Sequence, residues 1–260
     1  MLLAIDIGNS SINAGIFSGN KLINKLKIPS YPVNAPDFYM TEIRAFLSKN
    51  DVEKPLNGVI ISSVVPELTE ILHNSAKGLS LREPMILNAS LKTGITFDVE
   101  NPDEIGSDRI ANIVAAKEKH GMPALVIDFG TATTISAVRD SKYIGGAILP
   151  GIRMMGNVLH KGTSKLPEVD ISSLLHQEPH PPAVGKNTKM NMVSGIIYGT
   201  AGAVERLIRE MEKEEGEKFK VIITGGHSDL MALFLKADYR IEPDLTLEGL
   251  RIIYEGAISI

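Results

Sequence analysis

The sequence predicts an α/β fold of two duplicated domains, each a mixed sheet flanked by helices, with a cleft between them. Three observations carry that expectation. A β-meander opens the chain and recurs after residue 123, both copies contain a strand-end Asp-x-Gly turn, and in both an amphipathic helix leads into a buried apolar strand. Aligned directly, AIDIGNSSINAGIF from Ala4 and VIDFGTATTISAV from Val126 place Asp6 over Asp128 and Gly8 over Gly130, an offset of 122 residues (128 − 6). VIISSVVPEL from Val59 likewise matches VIITGGHSDL from Val221. The boundary is placed near residue 117, giving domains over 1–117 and 118–260.

In order along the chain, Leu2 to Ile7 reads as a buried strand, Gly8-Asn9-Ser10 as a tight turn and Ile12 to Phe17 as a second strand. Ser18-Gly19-Asn20 then turns the chain into Lys21 to Ile28. Asp37 to Asn50 has amphipathic helical spacing through Phe38, Ile43, Phe46 and Leu47; Val59 to Ser63 is a buried strand, and Pro66 to Lys77 a further helix. A helix follows Gly106, with Ser107 as N-cap, Ile110, Ile113 and Val114 on its apolar face and Gly121 as its stop. The meander then repeats as strands Ala124 to Asp128, Thr134 to Val138 and Tyr143 to Leu149, and a helix from Ala203 to Lys213 precedes the strand Val221 to Thr224. Lys213 to Lys218 reads as a solvated helix end and His176 to Pro182 as a solvated loop.

Composition narrows the function classes. With 260 residues, 43% of them hydrophobic, the chain has material for real cores. A net charge of −4, from 31 acidic against 27 basic side chains, supplies no general attraction to nucleic acid or anionic lipid, so any bound anion needs a local site. The absence of cysteine removes disulfides, thiolate metal sites and a Cys nucleophile. The six histidines show no metal-ligand spacing such as HExxH. MLLAIDIGNSS lacks the layout of a signal peptide, and no apolar run approaches the ~18 residues that would span a bilayer, so the cytoplasm is expected.

The two Asp-x-Gly turns are the first candidates for chemistry. Gly8 allows a close backbone turn that presents the amides and hydroxyls of Asn9, Ser10 and Ser11, a phosphate cradle without lysine. Asp6 at the strand end is placed to hold hydrated magnesium, which takes one or two carboxylates plus water and substrate phosphates. One such loop also fits an ordinary β-turn with an Asx cap. A second copy, Asp128 to Thr134, fits two loops gripping one polyphosphate. Asp108 and Arg109 fall in the first turn of a helix, where an acidic residue complements the dipole by about 0.3–1 kcal/mol and an arginine suits an anionic ligand. Gly145-Gly146 and Pro150-Gly151 read either as hairpin punctuation or as places where backbone approaches a ligand or a neighbouring segment.

These loops resemble those of the acetate and sugar kinase, heat-shock and actin superfamily, and the Gly225-Gly226 turn resembles its adenosine motif. The resemblance implies two ribonuclease H-like (actin-like ATPase) domains. It narrows to type III pantothenate kinase, because DIGNS at 6, GSDR at 106, DFGTATT at 128, GGAILPG at 145, GKNT at 185 and TGG at 224 occur in that family's order across essentially the whole chain. At position 99, where many members carry an aromatic, this chain has valine, with Phe97 the nearby aromatic.

The resemblance implies an activity and a set of roles. The activity is ATP-dependent phosphorylation of pantothenate, with magnesium and a monovalent cation, potassium or ammonium, as cofactors. Asp108 is the implied general base, and Gly106, Ser107, Asp108 and Arg109 line the implied pantothenate site. Asp6, Gly8, Asn9, Ser10, Ser11, Asn13 and Thr131 are the implied ATP contacts; Asp6 holds its magnesium, and Asp128 holds the monovalent cation. Thr188 contacts substrate across the interface of an implied homodimer. The alternatives are another small-molecule kinase of the superfamily, acting on a sugar or acetate, and a non-catalytic relative serving as a transcriptional accessory factor.

Overall fold

The computed structural model describes residues 1–52, 55–171, 173 and 180–258. His176 and most of the segment up to Pro182 therefore lie outside the described residues. The chain forms two compact units: Met1–Lys119 together with the chain from Leu245 onward, and His120–Asp244. The sequence-based division at 117/118 placed the last helix in the second half. That helix packs instead on the first unit's sheet, where Gly58 leaves room for Tyr254, and against the backbone of Ala111, where Gly249 lets it approach closely.

In the first unit, strands β1 (Leu2–Ile7), β2 (Ser11–Ser18) and β3 (Lys21–Pro29) form the meander. Helix α1 (Pro36–Lys49) leads to β4 (Gly58–Ser63), and α2 (Pro66–Ala76) leads to β5 (Met85–Ile86). The sheet order is β3-β2-β1-β4-β5, antiparallel on one side of β1 and parallel on the other. The two central strands are near-continuous apolar runs, LLAIDI and GVIISS, as strands covered on both faces require. A short strand β6 (Thr96–Phe97) and one 3-10 turn (Pro102–Glu104) precede α3 (Ser107–His120). Residues 110 to 116 of α3 are buried without a break, marking it as an interior helix.

Helix α1 buries Tyr39, Ile43, Phe46 and Leu47. The sequence spacing had put Phe38 inward, but Phe38 is 38% exposed and Tyr39 is fully buried. Tyr39 wins the inner position because its hydroxyl finds a partner there, accepting from Asn34 N–H at 3.1 Å, while Phe38 packs edge-on against its ring.

The second unit repeats the plan. Strands β7 (Ala124–Phe129), β8 (Ala132–Arg139) and β9 (Lys142–Pro150) form the meander, followed by α4 (Ile152–Lys161) and α5 (Thr188–Glu215). Strand β10 (Lys220–Thr224), α6 (Ser228–Ala232) and β11 (Tyr239–Ile241) complete it. These strands lie in the order β11-β10-β7-β8-β9, parallel from β11 to β7 and antiparallel from β7 to β9, the same as in the first unit. The likeness extends to detail: each second strand carries an irregularity against the third, at Ile16/Phe17 and at Ala137/Val138. It departs in one place. Four residues (8–11) separate the paired Ile7 and Ile12, but only three (130–132) separate Phe129 and Thr133. Helix α5 begins fifteen residues before the Ala203 expected from sequence and ends at Gly216, which adopts the left-handed conformation at φ +70° that caps a helix.

Helix α7 (Leu245–Ile258) covers β1 and β4 of the first unit. A side chain at Gly58 would occupy the space of the Tyr254 ring, and one at Gly249 would strike the backbone of Ala111 in α3. Tyr254 Oη donates to Asn57 O at 3.0 Å and Thr246 Oγ1 to Asn112 Oδ1 at 2.8 Å, so the buried polar atoms at this contact are paired.

Candidate active site

Asp6 lies one residue before the end of β1, opposite Asn13 on the antiparallel side and Ser62 on the parallel side. Ser62 Oγ donates to Asp6 Oδ1 at 3.1 Å. The turn after β1 is closed by Gly8 N–H donating to Ser11 O at 3.0 Å, and it is anchored from the end of β3. Ser30 Oγ donates to Gly8 O at 2.6 Å and Ser30 N–H to Ser10 O at 3.2 Å. With its carbonyls tied down from behind, the turn leaves Asn9 and Ser10 exposed at the carboxyl end of the parallel strands, where α/β sheets bind their ligands.

Asp108 reaches the same strand end by another route. The expected N-cap role of Ser107 is not what the structure shows: Gly106 O accepts the first helical N–H bonds, from Arg109 and Ile110, and Ser107 turns across to β4. There its Oγ accepts from Ser63 N–H at 2.8 Å and lies 3.0 Å from both Ser63 O and Ser62 Oγ, either of which can take its one proton. The strand end thus outcompetes the helix for this hydroxyl. Asp108 Oδ1 accepts from the Arg109 N–H at 2.8 Å. Gly106 is required beside it, because a Cβ there would press on the Asp108 carboxylate and stand 3.4 Å from Val64 Cγ1.

Protein crowding around the half-buried Asp108 pushes its carboxyl above the ordinary carboxylate range. Desolvation is the larger influence, and the Arg109 amide and guanidinium offset it only in part. A groove of about 540 Å³ opens beside the same strand end, lined by Ser63, Val64, Pro66, Thr69, Glu70, His73 and Ile86.

In the second unit Asp128 occupies the position equivalent to Asp6, opposite Thr134 and Thr224. Its turn is closed by Gly130 N–H donating to Ala132 O at 3.1 Å, and Thr131 at the tip is exposed. The turn after β10 folds down onto it. His227 N–H donates to Phe129 O at 3.1 Å, and Gly225, at φ +93°, comes so near that a Cβ would press on the Asp128 carboxylate. Gly151 sits against the loop carbonyls from the other side, its Cβ position 2.6 Å from Gly130 O. The close backbone approach expected of Pro150-Gly151 is therefore real, and it is made to the phosphate-type loop itself. Thr188 is the exposed first residue of α5, capped by Asn187, whose side chain accepts from Met190 N–H at 2.9 Å.

The sequence pattern of the type III pantothenate kinase family matches residues 2–210. The chain belongs to that family. It is 40% identical over 257 residues to the type III pantothenate kinase of Moorella thermoacetica, covering 98% of this chain and 99% of the relative. It is 38% identical over 257 residues to that of Dehalococcoides mccartyi strain CBDB1, covering 98% and 95%. Among solved structures, a Baf family transcriptional activator from Campylobacter jejuni superposes with a TM-score of 0.62 at 20% identity, over 99% of this chain and 100% of its own. A ROK hexokinase from Thermus thermophilus does so with 0.52 at 12% identity, over 98% and 99%. At those identities the likeness is one of fold, the actin-like ATPase fold expected from the paired loops. Neither the sugar or acetate kinase reading nor the accessory-factor reading is favoured by this membership in a pantothenate kinase family.

Sequence reasoning did not single out Ser62 or Ser30. A signal for Ser62 was present: a polar pair, Ser62-Ser63, ends an otherwise apolar strand. Nothing local marks Ser30, which acts on a turn 22 residues earlier.

Proposed function

We propose that Asp108 takes up the hydroxyl proton of pantothenate as the γ-phosphoryl group of ATP is transferred to that oxygen. The chain is a pantothenate kinase, forming 4′-phosphopantothenate at the first step of coenzyme A biosynthesis, and it uses ATP with a divalent metal. In the step, the hydroxyl oxygen bonds to the γ-phosphorus, the bond from that phosphorus to the bridging oxygen breaks, and ADP leaves with the electron pair. Asp108 keeps the proton.

The observation that carries this reading is where the fold puts Asp108: the residue before it, Ser107, is hydrogen-bonded to the end of β4 opposite Asp6, and burial there shifts the Asp108 carboxyl upward. A carboxylate present only to complement a helix dipole is more easily ionised than usual, whereas burial makes this one a stronger proton acceptor. Arg109, Gly106 and Ser107 are assigned to the pantothenate site around it, with Arg109 facing the substrate carboxylate. ADP release measured with and without pantothenate, in potassium and in sodium buffer, tests the assignment. Release that does not depend on pantothenate would sink it.

Asp6 is assigned to the magnesium of ATP, and Gly8, Asn9, Ser10, Ser11 and Asn13 to its phosphates. A half-buried carboxylate at the strand end, oriented by Ser62, suits an ion that takes one or two carboxylates and fills its shell with phosphate and water. When bound, that ion neutralises charge on the phosphates. In the second unit Thr131 is assigned to an ATP phosphate and Asp128 to a monovalent cation, potassium or ammonium. The crowding of Gly130 and Gly225 against Asp128 supports a small, backbone-lined site of that kind. Asp128→Ala is expected to reduce the activation by potassium over sodium while leaving the melting temperature within a few degrees, because the side chain is only half-buried. Unchanged potassium activation would remove the cation assignment.

Thr188 is assigned to a pantothenate contact supplied across a homodimer interface, a reading its exposure on α5 supports. Sedimentation of the native protein tests the dimer. No helix among the described residues is long and apolar enough to cross a membrane. We place the enzyme in the cytoplasm, acting on small molecules without nucleic acid or membrane partners.

A further inference from the structure

A chain of hydroxyls joins the two acidic positions of the first unit. Ser62 is fully buried and Ser107 nearly so. Ser62 Oγ is 3.1 Å from Asp6 Oδ1 and 3.0 Å from Ser107 Oγ, which in turn is 2.8 Å from the Ser63 amide nitrogen. The two ends fix the polarity, because an ionised carboxylate only accepts and an amide N–H only donates. The single proton of Ser62 is committed to Asp6. That of Ser107 is left for the Ser62 oxygen or for Ser63 O at 3.0 Å. With the Ser107 proton given to Ser62 rather than to Ser63 O, donors run in one direction, from the Ser63 amide through Ser107 and Ser62 to Asp6. Ser107 is also the residue that opens α3, immediately before Asp108.

A second observation points the same way. At the register position opposite its own strand-end aspartate the second unit also carries a hydroxyl, Thr224 opposite Asp128, just as Ser62 lies opposite Asp6. A strand interior of otherwise apolar residues has no packing reason to end on a buried hydroxyl in both copies.

We propose that Ser62 and Ser107 are positioning residues for phosphoryl transfer. Their hydroxyl chain holds the Asp6 carboxylate in the orientation that receives magnesium-bound nucleotide, and it ties that carboxylate to the helix turn bearing Asp108. This rests on the assignment of Asp6 to magnesium. A merely structural bond would stabilise the strand end without regard to the metal, so the two roles separate in nucleotide binding measured with and without the ion.

The experiment is calorimetry of ADP binding to the full chain, once with magnesium and once with EDTA. Ser62→Ala is expected to bind ADP about tenfold more weakly in magnesium, as loss of a hydrogen bond to a charged group predicts, and equally well in EDTA. Ser62→Thr, which keeps the hydroxyl in the form Thr224 uses, is expected to bind magnesium-ADP like the native protein. Ser107→Ala provides an independent variant should Ser62→Ala fail to fold. It is expected to lose about threefold in magnesium only, and the double variant to be no weaker than Ser62→Ala, since the links act in series. Equal losses with and without magnesium, no loss at all, or a threonine variant as weak as the alanine one would overturn the proposal. Asp6→Asn separates its failure from that of the underlying assignment. If that variant keeps the full magnesium-dependent gain in affinity, Asp6 is not the magnesium ligand and the proposal falls with it.

Discussion

Replacing Asp108 with asparagine is expected to lower kcat by about 10²–10⁴-fold, the usual contribution of a positioned proton acceptor, with KM for ATP little changed. The same substitution should make the protein more stable at pH values above the ordinary carboxylate range. In the unfolded chain the carboxyl ionises in the ordinary range, whereas in the fold burial shifts it upward. Between those two values the folded state binds more protons than the unfolded one, so native stability falls as pH rises through the window and stays lowered above it. Asparagine removes the buried charge and keeps an oxygen to accept from the Arg109 amide. Its advantage in melting temperature should grow as the pH rises from the ordinary carboxylate range through the raised folded-state value, and disappear as the pH drops below that range. The native kcat/KM profile should correspondingly lose activity at an acid limb lying above that range. An asparagine variant that gains nothing over the native protein at any pH above the ordinary carboxylate range would show that Asp108 is not held by desolvation.

Gly225→Ala should destabilise the second unit by about 2–5 kcal/mol, combining the strain of a left-handed non-glycine residue with overpacking against neighbours that do not yield. The residue stands at φ +93°, and its new methyl would press on Asp128 and lie 2.6 Å from the carbonyl carbon of Phe129. Phe129 ends the central strand β7 and is hydrogen-bonded through its carbonyl to His227, so the backbone cannot move aside cheaply. Gly226 next door is the control: apart from its chain neighbours nothing lies within 4 Å of where its Cβ would stand, so Gly226→Ala should fall within about 0.5 kcal/mol of the native protein. Denaturant midpoints of the two variants measure the contrast. Similar midpoints would show that the β10 turn is more pliable than its packing implies.

The central strands were legible because burial on both faces leaves an uninterrupted apolar run, and the Asp-x-Gly turns because they break that run at the same phase twice. Features decided by distant partners were not. Phe38 and Tyr39 satisfy the helical period almost equally, and what separates them, an amide only five residues back at Asn34, depends on how the loop before α1 folds rather than on the period. Gly-Ser-Asp before an apolar helix has the look of an N-cap, yet a strand end 44 residues away takes the serine. The first half of α5 was hidden by Gly195, Gly199 and Gly202, which depress helix propensity. The helix persists there because Met192, Val193, Ile196, Ile197 and Ala201 bury a continuous stripe. Of the candidate site, the acidic residues were readable one at a time, whereas Ser62 became visible only through strand register.

The return of α7 to the first sheet orders events during synthesis. The second unit is contiguous and has every strand it needs once residue 244 has left the ribosome. The first unit, although its strands are made earliest, stays uncapped until α7 emerges, with β1 and β4 lacking the cover that this helix and its Tyr254 provide. Asp6 and Asp108 therefore sit in the half that matures last, and a deletion or bulky fusion beyond residue 244 would be felt at positions more than a hundred residues upstream.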